Sequence, residues 1–148
     1  MNYNLKILKS INMTKIRTFY IGELKTEAEH LKSGSKLMTE APEDNNGKGS
    51  MFSPTDLFAT SLGSCMLTIM GISAQVHGFS VEGTRIETEK IMASNPRRVA
   101  ELKLDIYLPR NDYSAKEMRL IEASVKTCPV ANSIHPDIIK TITYHLPE

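Results

Sequence analysis

The stretch Ser53-Pro54-Thr55-Asp56-Leu57-Phe58-Ala59-Thr60-Ser61-Leu62-Gly63-Ser64-Cys65-Met66-Leu67-Thr68-Ile69-Met70-Gly71-Ile72-Ser73-Ala74-Gln75-Val76-His77-Gly78 decides how the rest of the chain is read. Ser53 suits a helix N-cap. Pro54 suits the first turn, where its missing N–H is no loss, and Asp56 places a negative charge near the positive helix end. Gly78 is the matching stop, so one helix is predicted to run to His77. Its apolar side chains lie on more than one face, from Leu57 and Phe58 through Leu62, Cys65 and Met66 to Ile72 and Val76. A helix apolar nearly all round is a buried helix. It is expected at the centre of the domain or at an interface between chains.

Working outward toward the amino terminus, residues 41–50 form a polar loop with Pro42, Asp44, Asn45, Asn46, Gly47 and Gly49. Gly47-Lys48-Gly49 is not a phosphate loop. Pro42 stands where the first glycine of that motif belongs, and Gly49 stands where a Ser or Thr should follow the lysine. Residues 14–39 read as extended segments, with turns at Gly22 and at Ser33-Gly34-Ser35 and a strand at Lys36–Thr39. Residues 1–13 carry no such pattern and are expected to be a disordered extension, leaving 14–148 as a single domain.

Toward the carboxyl terminus, Val81–Ile91 reads as a strand and Asn95-Pro96 as a turn. The clearest alternation follows, with Leu102, Leu104, Ile106 and Leu108 facing a core while Glu101, Lys103, Asp105 and Tyr107 face out. Ser114 and Glu117 form a capping box that opens a helix to Lys126, whose buried stripe is Met118, Ile121 and Val125. A short helical turn is expected at Val130–Ile134, and Ile142, Tyr144 and Leu146 mark a closing strand. Strands, helix, strands, helix, strand is an α+β order.

The chain has 148 residues, 41% of them hydrophobic, and a net charge of +1. That is one ordinary domain with enough apolar surface for a core. The absence of a basic block excludes a nucleic-acid surface and a polybasic membrane anchor as leading readings. No signal-peptide core and no run of about 18 apolar residues is read, so a cytoplasmic protein without membrane contact is expected.

Two cysteines in such a chain matter, if at all, as thiols. Cys65, in mid-helix, reads either as a small hydrophobe or as a thiol on a partly apolar face (Phe58, Ser61, Leu62, Thr68, Ile69, Ile72) suited to a greasy substrate. Cys128 precedes Pro129 and reads either as a buried structural cysteine or as a thiol at a predicted helix start, where the dipole favours thiolate. Local electrostatics alone therefore makes Cys128 the more acidic thiol. His30, His77, His135 and His145 form no tight ligand spacing with each other or with the cysteines, so no metal site and no cofactor are expected.

Phe52-Ser53-Pro54-Thr55-Asp56-Leu57-Phe58-Ala59-Thr60-Ser61-Leu62-Gly63-Ser64-Cys65 resembles the first cysteine motif of the OsmC/Ohr family. Thr127-Cys128-Pro129-Val130-Ala131-Asn132-Ser133-Ile134 resembles its second. The two together are specific, and the resemblance runs from about residue 14 to the end, closer to the general OsmC-like branch than to Ohr proper. It implies antiparallel sheets around a long buried central helix in an intertwined homodimer, with active sites at the interface. It also implies that Cys65 attacks peroxide and that Cys128 resolves. That assignment runs against the dipole reading, and a cation from the partner chain would reconcile the two.

The match has gaps. The Ohr branch has a glutamate ten residues before the attacking cysteine, and Thr55 stands there. Asp56 lies on the opposite side of the helix from Cys65, nine residues at about 100° each. For the family's arginine, Arg17 and Lys25 are the candidates, lysine being the weaker because it lacks the planar fork. The expected function is thiol-dependent reduction of hydroperoxides, organic in preference to inorganic, with a thiol reductant regenerating the pair. The alternative is a non-enzymatic small-molecule-binding protein on the same dimeric scaffold.

Overall fold

The computed structural model describes residues 14–147, and the expected extension at 1–13 lies outside them. The chain forms two compact units, Met1–Pro54 and Thr55–Glu148.

In the first unit, β1 (Ile16–Gly22), β2 (Lys25–His30) and β3 (Lys36–Glu40) make an antiparallel sheet in the order β1-β2-β3. The predicted turns fall at their places. Gly22 has φ +92°, and the chain reverses through Glu23 and Leu24, both also left-handed. The loop after β3 is clamped by a buried carboxylate: Glu40 Oε2 accepts from both the backbone N–H and the hydroxyl of Ser50, each at 2.7 Å. These bonds hold its carboxyl below the usual range. A Cβ at Gly47 would lie 1.5 Å from the Ala41 carbonyl oxygen, so the loop doubles back too tightly for any other residue.

In the second unit, α1 (Pro54–His77) is followed by β4 (Arg85–Ser94), β5 (Arg97–Tyr107), α2 (Ala115–Lys126), α3 (Pro129–Ser133) and β6 (Ile139–His145). The helix ends where the sequence predicts, with Gly78 at φ +76°. It buries one stripe, namely Ala59, Leu62, Gly63, Met66, Met70 and Ala74. Ile72 and Val76 remain 52% and 73% exposed, so the expectation of all-round burial is met on one side only within a single chain. An 18-residue window of α1 has mean hydropathy 1.6, which meets the length and composition test for a membrane-spanning helix that the sequence reading did not see met.

The core joins that stripe to Leu102, Leu104 and Ile106 of β5, Ile121 and Val125 of α2, and Cys128. Each of the large aliphatic side chains contributes about 1.5–3 kcal/mol by its burial. A bulge in β5 sets the pattern. Ile91 pairs with Glu101 but Met92 pairs with Val99, so Ala100 is an extra residue and the inward parity changes from Val99 to Leu102. Two expectations are corrected here. The strand predicted from Val81 begins at Arg85, because Val81–Thr84 closes a turn in which Thr84 N–H donates to the Val81 carbonyl and Gly83 has φ +88°. The sheet β4-β5-β6 is also not wholly antiparallel. β6 runs parallel to β5, with Leu104 opposite Ile142, because the intervening α2 and α3 carry the chain back across the sheet.

Candidate active site

Proline chemistry builds the Cys128 end of the site. Pro129 occupies the first turn of α3, and Cys128 is its N-cap at φ −58°, ψ 120°, outside helical geometry as a residue before proline must be. The Cys128 sulfur accepts from the Ala131 backbone N–H at 3.4 Å. Cys65 is delivered by α1, packed against the edge of the core and half-buried, whereas Cys128 is 0% exposed. The two thiols are free, and Cys65 lies near enough to Cys128 to help raise its pKa. Sixty-two residues separate them in sequence, so only the packing of α1 against the α2–α3 corner brings them together.

The dipole argument for an acidic Cys128 fails. Burial pushes its thiol above the ordinary 9.0, and the neighbouring Cys65 sulfur adds to the rise. The N–H groups of Ala131 and Val130 act the other way, as a helix start should, but desolvation outweighs them. Cys128 therefore rests as a protonated thiol.

Of the other sequence candidates, Arg17 and Lys25 belong to the first unit and Thr55 to the second. Arg17 is an exposed residue of β1, opposite Glu29 in the register. Lys25, in β2, lies 3.8 Å from Glu40 and 3.7 Å from Glu23. Thr55 sits at the start of α1, where its Oγ1 accepts from Lys90 Nζ at 2.7 Å. The same ammonium bonds Asp56 Oδ1 at 2.7 Å.

Lys90 is the charged group that sequence reading missed. Its signal is its parity: Ile86, Thr88 and Lys90 share the half-buried face of β4, and a lysine there needs a partner. Asp56 thus serves an ion pair at the helix start. Among the described residues, no three His, Cys, Asp or Glu side chains converge on a point that would hold a metal ion. His145, for example, is hydrogen-bonded to Asp105 at 2.6 Å and stacked on Tyr107.

An α+β chain with two free thiols, one on a long helix and one at a proline-led helix start, defines a dithiol protein. Residues 47–142 match the family model described as OsmC-like protein, and the chain belongs to that family. It is similar to a crystal structure from Psychrobacter arcticus 273-4 described as an osmotic stress induced and detoxification response protein. That match has 46% identity and a TM-score of 0.85, covering 93% of this chain and all of the other. It is also similar in fold to an organic hydroperoxide resistance protein OsmC from Legionella pneumophila (19% identity, TM-score 0.74, 93% and 100% covered). A third similar fold is an organic hydroperoxide resistance protein from Elizabethkingia anophelis (16% identity, TM-score 0.69, 95% and 100% covered). Comparison with curated proteins gives no match.

Proposed function

We propose that this protein is a thiol peroxidase for organic hydroperoxides, with Cys65 as the attacking thiol and Cys128 as the resolving one. The observation that carries the proposal is the pairing of a half-buried thiol on α1 with a fully buried one at the start of α3, near enough for Cys65 to perturb Cys128. The Cys65 thiolate attacks the terminal oxygen of ROOH, the O–O bond breaks, and the alcohol leaves with a proton. Cys65 becomes a sulfenic acid. The Cys128 thiol loses its proton as its sulfur attacks the Cys65 sulfur, water leaves, and a disulfide forms. Disulfide formation brings the two sulfurs to about 2 Å. A thiol reductant then restores the pair. The organic hydroperoxide resistance proteins of similar fold support this substrate class.

The cation for the Cys65 thiolate is proposed to come from a second chain in a homodimer, with Arg17 preferred to Lys25 because Lys25 is already beside Glu40. Thr55 supports the start of α1 through Lys90. Stopped-flow consumption of cumene hydroperoxide tests the function. Wild type should consume it and Cys65→Ser should not. Equal, slow consumption by both would leave a small-molecule-binding protein as the better reading.

A further inference from the structure

We infer that α3 is a redox-sensitive element: forming the Cys65–Cys128 disulfide pulls the Cys128 sulfur away from its capping bond and releases Pro129–Ser133 from helical order. The inference rests on the disulfide of the peroxidase reading, but not on peroxide as the oxidant that makes it.

α3 is five residues long and buries none of them. A helix this short does not hold by itself, because the cost of fixing its first turn is recovered over very few bonds. The bonds that hold it start at one residue. The Cys128 sulfur accepts from the Ala131 N–H at 3.4 Å, and the Cys128 carbonyl accepts from the Asn132 N–H at 3.1 Å. Val130 and Ala131 add only partial packing against the core. Beyond Ser133, Ile134 and Ile138 are buried, so the chain is anchored again there.

Both cysteines are free, so a disulfide closes a non-bonded separation to about 2 Å, and one of the two elements has to give. Cys65 lies in the middle of the 24-residue α1, which buries Leu62, Met66 and Met70 on either side of it. A helix fixes the Cβ of such a residue and leaves its side chain two of the three staggered χ1 positions. Cys128 stands between two helices, after the Thr127 that ends α2 and before the Pro129 that opens α3, and its own φ and ψ are not helical. The torsions of Cys128 therefore take up the change. Its movement is toward Cys65, which packs against the same core, so the sulfur need not leave the core to make it. Both acceptors that order the first turn of α3 move with it.

The chemistry is the two-electron oxidation of a thiol pair. Each thiol gives up one proton and one electron to the oxidant, and one S–S bond forms; with diamide, the azo group is reduced to a hydrazine. Reduction returns the protons and electrons, frees the Cys128 sulfur and restores the cap. The two redox states then differ chiefly at one corner, the five residues between Cys128 and Ile134. A partner that distinguishes oxidised from reduced protein reads that corner.

The experiment is amide hydrogen exchange, followed residue by residue by NMR on the full chain, reduced and then oxidised with diamide. Exchange at Ala131 and Asn132 should rise about threefold or more on oxidation, the scale of losing a helix cap, while α1 around Cys65 and the middle of β5 stay unchanged. Cys128→Ser keeps a capping oxygen and cannot form the bond, so diamide should leave its α3 unaltered. Reduced Cys128→Ala should already exchange like the oxidised wild type. Unchanged or slower exchange at Ala131 in the oxidised protein overturns the inference, as does a rise confined to α1, which would make α1 the element that gives. Full protection of α3 in Cys128→Ala also overturns it, since the thiol would not be what holds the helix. Failure of diamide to form the intramolecular disulfide removes the event that the inference requires. If diamide forms the bond and releases α3 but organic hydroperoxide does not form it, the peroxidase reading fails and the redox-sensitive element stands.

Discussion

At the scale of single residues, the site depends on two cysteines placed in unlike surroundings. Cys128 is buried and held protonated, while Cys65 meets solvent. A thiol whose pKa is raised by folding keeps its proton longer in the native state than in the unfolded one. The stability it contributes is complete below the ordinary value of 9.0 and is lost as pH rises through the native value. Melting temperature should therefore fall from about pH 9 upward, and Cys128→Ser should flatten the first part of that fall. Tyr144, pushed to about 12 by burial and Glu122, adds a decline of the same sign starting above 10. An unchanged alkaline slope in Cys128→Ser would show that the buried thiol is not its source. Both cysteines stand out in the sequence, but the burial that raises the Cys128 thiol does not. The helix start at Pro129 is visible in the chain, whereas the core that buries Cys128 also draws on residues distant in sequence, Leu62, Met66, Leu102 and Leu104 among them. Lys90 escaped for the same reason, because its partners lie 34 and 35 positions away.

At the scale of elements, local signals located what local physics controls. Pro54 and Gly78 bound α1, alternation found the core face of β5, and Ser114 with Glu117 opens α2 through a capping box formed in full. The parallel pairing of β6 and the bulge at Ala100 were not legible, since both depend on which strand lies alongside. The capping box gives a quantitative expectation. Ser114→Ala should destabilise the fold by about 1 kcal/mol in denaturant unfolding. Glu117 is held below its ordinary 4.5 chiefly by its bonds to Ser114, so its contribution is present above that pH and lost as pH falls through the lowered value. The acid limb of the stability curve should be shallower in Ser114→Ala, and an identical limb in both proteins would contradict the assignment.

At the scale of the whole molecule, the chain leaves unusual apolar area uncovered. Ile72 and Val76 project from α1, and Ile16, Phe19, Tyr20 and Ile21 of β1 are each 48% exposed or more. Patches of this kind mark contact surfaces, which is the physical support for the proposed dimer. Sedimentation equilibrium at micromolar concentration should give twice the chain mass, and Val76→Lys should weaken the association. A folded wild-type monomer would remove the dimer, and with it the proposed route by which Arg17 reaches a thiolate. The central claim is that the two thiols act as a pair on hydroperoxide, and peptide mapping after one equivalent of organic hydroperoxide tests it most directly. The account predicts an intramolecular Cys65–Cys128 disulfide in wild type, a sulfenic acid on Cys65 in Cys128→Ser, and a reduced Cys128 in Cys65→Ser. Recovery of both cysteines as free thiols in the wild type, with the peroxide unconsumed, would contradict it.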